Sequence, residues 1–136
     1  VPPEYVAAAF LRSGRMESHL EMLQSVYAKR RELALGILSR ELPEGVRVED
    51  PKGGYMLWVR GGRAQGMDQV AKQCLEQGVA VVGGGIFFAE PPKEACFRLN
   101  CARATPEDLA RGVGIFCRVL KVVLARTGGR KNRTLA

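Results

Sequence analysis

A chain of 136 residues with 46% apolar side chains can build one domain with a real core, or one domain and a helical extension. No run of about 18 apolar residues occurs, which excludes a membrane-spanning helix. The opening Val1-Pro2-Pro3-Glu4 has no basic region followed by an apolar one, so no signal peptide is expected. The missing initiator Met fits a chain cut from something longer or one that was trimmed.

The net charge of +7 is unevenly placed: residues 1–50 carry seven basic and eight acidic residues, residues 51–136 fourteen and six. A basic excess suits nucleic acid or an anionic ligand. Here a solvated helix end and a loose tail after Arg118 is the stronger reading, because the basic residues lack interleaved aromatics and no nucleic-acid-binding motif is present. Cys74, Cys96, Cys101 and Cys117 form no CxxC pair and lie far in sequence from the lone His19, so no metal site is expected. Cys74 and Cys117 on apolar helix faces, and Cys101 among the inward-facing residues of a strand, read as small buried hydrophobes of a reducing compartment.

Pro2-Pro3-Glu4 opens a short helix that stops at Ser13-Gly14. A long helix follows over about Glu17 to Glu41. Its apolar positions Leu20, Leu23, Tyr27, Ala34, Ile37 and Leu38 recur at three- and four-residue steps, and Arg30-Arg31-Glu32 lie mainly off that stripe. Val46-Arg47-Val48 is a strand, Pro51-Lys52-Gly53-Gly54 a turn, and Tyr55-Met56-Leu57-Trp58-Val59 an interior strand that Gly61-Gly62 closes. A helix over about Met67 to Gln77 presents Val70, Ala71, Cys74 and Leu75, and Gly78 ends it. Val79 to Val82 is a strand broken by Gly83-Gly84-Gly85. Ala89 to Ala95 is a loop, and Cys96 to Cys101 a strand. Thr105-Pro106-Glu107-Asp108 starts the last helix, with Leu109, Val113, Phe116 and Leu120 inward.

The order is two helices, then β-β-α-β-β-α. It predicts an α+β fold: a small, mostly antiparallel sheet with helices packed on one side, preceded by a long helix.

Few residues carry chemistry. The period of two puts Arg98 and Asn100 opposite Phe97 and Leu99. A guanidinium fork on a strand suits a carboxylate, although on the pattern alone a solvent-facing Arg on an edge strand is the stronger reading. Gly83-Gly84-Gly85 is followed by Ile86-Phe87-Phe88 rather than a helix with Lys-Ser/Thr, which excludes a P-loop and leaves a flexible turn lining a pocket. Gly53-Gly54-Tyr55 allows close backbone approach to a ligand, with a plain turn as the competing reading. Trp58 is expected in the core. Neither a Gly-x-Ser-x-Gly nor a His-based dyad is present, so no active site assembles from these residues alone.

The succession of motifs resembles the C-terminal part of class I/II, fold-type I aminotransferases, which depend on pyridoxal phosphate (PLP). The branch with aminoadipate and kynurenine aminotransferases and aminotransferase-like regulators is most similar. The motifs are Tyr27-x-x-Arg30-Arg31-Glu32-Leu33, Pro51 to Val59, Gly78 to Val82, Phe87-Phe88, Phe97-Arg98-Leu99-Asn100, Thr105 to Leu109 and Gly112-Val113, spread over about Pro2 to Leu120.

The resemblance implies that residues 1–14 form a helix leading from a missing large domain. Residues 15–126 would form the small domain, and 127–136 a basic, disordered tail. It implies that Arg98 binds the substrate's α-carboxylate, with Gly54 and Tyr55 lining the pocket. It further implies PLP in the full-length protein, amino acid and 2-oxo acid substrates, a homodimer, and a cytoplasmic location. The Schiff-base lysine and the PLP-phosphate residues of that family have no match here, and Lys131 lacks their context. No catalytic residue and no bound PLP are therefore expected in this chain by itself. The alternative is a non-catalytic small-molecule sensor of a transcription regulator. Gly83 stands where the family usually has Pro, which loosens that turn.

Overall fold

The computed structural model describes residues 1–128. Helix α1 (Pro3–Arg12) starts on Pro3, with Glu4 at its positive end. It turns at Ser13-Gly14 into α2 (Met16–Glu41), which spans 26 residues. The chain then forms β1 (Arg47–Glu49), β2 (Met56–Arg63), α3 (Met67–Glu76), β3 (Val82–Gly83), β4 (Glu94–Asn100) and α4 (Pro106–Gly128). Short 3-10 turns at Ala64–Gly66 and Gly84–Phe87 precede α3 and follow β3. The tail expected over residues 127–136 lies outside the described residues beyond Gly128, and Lys131 with it; Thr127 and Gly128 are still helix.

The four strands form one sheet in the order β1-β2-β4-β3, every pair antiparallel. One face carries Leu57, Val59, Phe97 and Leu99, all buried under α2, α3 and α4 in a single core. Phe97 meets Phe116 of α4 edge-on, ring centroids 5.4 Å apart. The other face carries Met56, Trp58 and Arg60 of β2, which pair in register with Asn100, Arg98 and Cys96 of β4. The α+β architecture with helices on one side is thus the one the element order implied. Helix α4 supplies the largest share of the core, from Leu109 through Val113, Phe116 and Leu120 to Val123.

Several local expectations are corrected. Strand β2 does not close at Gly61-Gly62: it bulges there, at φ 140° and 77°, and resumes pairing at Arg63↔Glu94. A Cβ on Gly61 would run into the Gly45 carbonyl and Val46, so the bulge lets two backbones touch. Of Val79 to Val82 only Val82 pairs, because β4 offers partners to Val82 and Gly83 alone. Leu75 points to solvent, since Val70 and Cys74 already fill the inner face of α3. Trp58 is not core: strand parity turns it to the outer face, beside Arg98. Arg30 and Arg31 of α2 are half-buried. They donate to the carbonyls of Ala102 and Gly54 and tie α2 to one end of the β2–β4 pair, where Met56 lies opposite Asn100.

Candidate functional site

The outer face of the sheet places Arg98. Its strand β4 lies between β2 and β3, so Arg98 stands on an interior strand, with Trp58 as its neighbour on one side and Val82 on the other. Hydrogen bonding on both edges fixes the backbone beneath it, which gives the side chain a rigid base. The solvent-facing edge position that the bare pattern favoured does not occur.

The guanidinium lies over the ring of Phe87, 4.7 Å from its centroid. Phe87 reaches it from the 3-10 turn Gly84–Phe87 and meets Trp58 edge-on at 5.8 Å and 70°. Phe88 tilts on the same indole at 6.2 Å. The turn is not the loose one expected from three glycines. A Cβ on Gly84 would sit 2.5 Å from Cys96 Sγ and 2.8 Å from Trp58 Cη2, so the backbone is seated directly on the sheet.

Arg98 is distinguished by what it lacks. Four arginines are half-buried among the described residues: Arg30, Arg31, Arg60 and Arg98. The first two donate to carbonyls. Arg60 Nε is 3.0 Å from Glu49 Oε1 and its Nη1 3.7 Å from Glu94 Oε1; the Glu49 contact is an ion pair without hydrogen-bond alignment. Arg98 has no oxygen partner among the described residues. A partly desolvated guanidinium without an acceptor is costly, and the cost is offset when an anion arrives. Trp58 adds a second unmatched donor on the same face, its Nε1–H being buried without a partner. Asn100 does not contribute its oxygen, since Oδ1 accepts from the Ala102 N–H at 2.7 Å.

The other two candidate residues lie elsewhere. The Cys101 N–H donates to the Tyr55 carbonyl at 2.8 Å, which continues the β2–β4 ladder and turns the Tyr55 ring to the helical side. There it meets Tyr27 of α2 at 5.1 Å. Tyr55 and Gly54 line a groove of about 500 Å³ with Leu20, Tyr27, Arg31 and Lys52, of which Arg98 is not part. The structure therefore groups Arg98 with Trp58, Phe87 and Phe88, and groups Tyr55 with Gly54 on the opposite face. Met56-Leu57-Trp58-Val59 is apolar throughout, so it held no signal for the face of Trp58. Phe87 had none, because its place depends on the β3–β4 pairing.

Lys29, Lys52, Lys72, Lys93 and Lys121 are the described lysines, and all are exposed. None of these exposed side chains has the desolvated setting that activates a Schiff-base lysine. The four cysteines are free and buried, and no cluster of metal-ligating side chains occurs among the described residues. The described residues also contain no helix long and apolar enough to cross a membrane.

An antiparallel sheet of this order, backed on one face by helices and carrying Arg98 on the other, defines a class of protein. Residues 2–116 match the family model of aminotransferase class I and II. The chain belongs to that family. The 2-aminoadipate transaminase of Thermus thermophilus is 36% identical over 115 residues, which cover 85% of this chain and 29% of that protein. The crystal structure of an alpha-aminoadipate aminotransferase from the same organism, complexed with N-(5'-phosphopyridoxyl)-L-leucine, superimposes with a TM-score of 0.74 at 36% identity. It covers 85% of this chain and 30% of that one. An uncharacterized HTH-type transcriptional regulator of Bacillus subtilis is 33% identical over 79% of this chain and 22% of its own length. The chain thus spans less than a third of the relatives it matches.

Proposed function

We propose that this chain is the C-terminal small domain of a longer PLP-dependent aminotransferase, and that Arg98 binds the substrate's α-carboxylate. The observation that carries the reading is a half-buried arginine on an interior strand with no oxygen partner among the described residues. Its in-plane donors match a carboxylate bidentately. The rest of the protein would hold PLP, which supplies the electron sink for moving an amino group between an amino acid and a 2-oxo acid. This domain holds and orients the substrate by its carboxylate, and does not catalyse alone. The working protein is a homodimer acting in the cytoplasm on amino acids and 2-oxo acids, and nucleic acid is not its ligand. The name of the Thermus relative makes 2-aminoadipate the first amino acid to try. Gly54 and Tyr55 can line the substrate site only if it extends past the end of the sheet, since they lie on the face away from Arg98.

The test is Arg98→Ala in the full-length protein. Losing a charge-assisted bidentate pair is expected to lower kcat/KM for amino acids roughly 10²- to 10³-fold, with PLP absorbance retained. Unchanged kcat/KM would sink the carboxylate role. The relatedness to HTH-type regulators keeps a second reading in view, an amino-acid sensor attached to a DNA-binding domain. An upstream helix-turn-helix segment, together with amino-acid binding but no transamination, would select it.

A further inference from the structure

We infer that Phe87 is a positioning residue for the carboxylate clamp: its ring, braced by Trp58, holds the Arg98 guanidinium flat so that its edge donors face the substrate. The inference rests on the reading of Arg98 as the clamp and adds the element that aims it.

An arginine side chain is long and rich in rotamers, so a strand fixes its Cα but not its head. The head needs a second support. An acidic partner would supply one, but it would also occupy the donors the substrate needs. An aromatic ring avoids that conflict. Cation–π attraction acts on the face of the guanidinium, whereas its hydrogen bonds lie in the plane. Arg98 shows both halves of this arrangement: a ring 4.7 Å below the head and no oxygen at its edge among the described residues.

Phe87 is itself held. Trp58 meets it edge-on at 5.8 Å, the orientation aromatic pairs prefer. Gly84, three residues earlier, lies so close to Cys96 and Trp58 that the turn is anchored to the sheet. Trp58 and Arg98 are register neighbours, so the brace and the clamp stand on adjacent strands of one rigid surface. The consequence for recognition is directional. In the proposed arrangement one guanidinium face is covered, so a carboxylate approaches edge-on, in the guanidinium plane, along the outer face of the sheet.

Phe87 is 47% exposed, so removing its ring opens no core cavity. This separates positioning from folding. In the full-length holoenzyme, Phe87→Leu is expected to raise KM for the amino acid, and Ki for the bare carboxylate propionate, roughly 3- to 30-fold, while kcat stays within about twofold. Phe87→Tyr keeps the ring face and is expected to restore both constants to within about twofold of the parent. A leucine variant with parental KM, a tyrosine variant as impaired as leucine, or a loss confined to kcat overturns the role of Phe87 while leaving Arg98 untouched. Parental constants for Arg98→Ala in the same series overturn the clamp itself, and Phe87 with it.

Discussion

Cys74 on α3 and Cys117 on α4 are fully buried in the same core, and burial pushes both thiols up to about 11 from the ordinary 9.0. A thiolate in that core would be a charge out of water, so the fold favours the protonated form. The sign of the linkage follows. The folded value lies above the unfolded one, so the thiols' contribution to stability is complete below about pH 9 and disappears as pH rises towards 11. The unfolding free energy of the isolated chain, from urea titrations, should therefore fall steeply between those values, by roughly a few kcal/mol in all. Cys74→Ala/Cys117→Val should flatten that part of the profile, even though it lowers the plateau. A profile with the same alkaline slope in the double variant would place the pH sensitivity in other groups. Oxidation chemistry follows the same logic. Protonated, buried thiols are poor nucleophiles, so a thiol reagent at pH 8 should reach Cys74 and Cys117 only through unfolding.

Among the elements, α4 shows how a strong local signal and a tertiary role coincide. Thr105 Oγ1 accepts the Asp108 N–H at 3.1 Å, Pro106 takes the first helical position, and Glu107 and Asp108 face the positive end. The helix so started delivers the largest part of the core. Thr105→Ala should cost about 1 kcal/mol in denaturant unfolding, with Thr105→Asp close to neutral; an alanine variant of parental stability would show that packing alone fixes the start. This element was legible because cap, proline and apolar period agree. The inner face of the sheet was legible for the same reason: Phe97 and Leu99 alternate cleanly. What sequence could not supply was register. Trp58 read as core because Tyr55 to Val59 is apolar on both faces, and only its pairing with Arg98 assigns it to the outer one. Val79 to Val82 has the composition of a strand but lacks partners along most of its length. Phe87 reaches Arg98 across a turn and a strand pair, and no periodicity encodes such a contact. The resemblance singled out Arg98, whereas its lack of an oxygen partner, beside Arg30, Arg31 and Arg60 that each have one, belongs to the folded chain.

At the scale of the whole chain the core is lopsided. Helix α1 buries no residue, and α2 buries only Ala34, Ile37 and Leu38, all in its second half. The first forty residues instead expose Tyr5, Val6, Leu11, Leu20 and Met22, an apolar series along two successive helices. Phe10, half-buried, meets His19 edge-on at 5.5 Å, which holds α1 to α2 rather than to the sheet. Burial is what converts apolar side chains into stability, at about 25 cal/mol per Å² removed from water, so an extension that buries so little contributes little to the domain. Deleting residues 1–14 should leave the unfolding free energy of the isolated chain within about 0.5 kcal/mol of the parent. Trypsin should likewise cut at Arg12 and Arg15 before any site in the sheet. A loss above about 2 kcal/mol on deletion would mean that α1 packs onto the body in solution, contrary to this structure. The same deletion in the full-length protein has a different expectation. Under the proposed function the exposed series faces the large domain, where apolar patches of this kind are covered. There the truncation should lower stability by several kcal/mol and shift the melting transition of the whole protein.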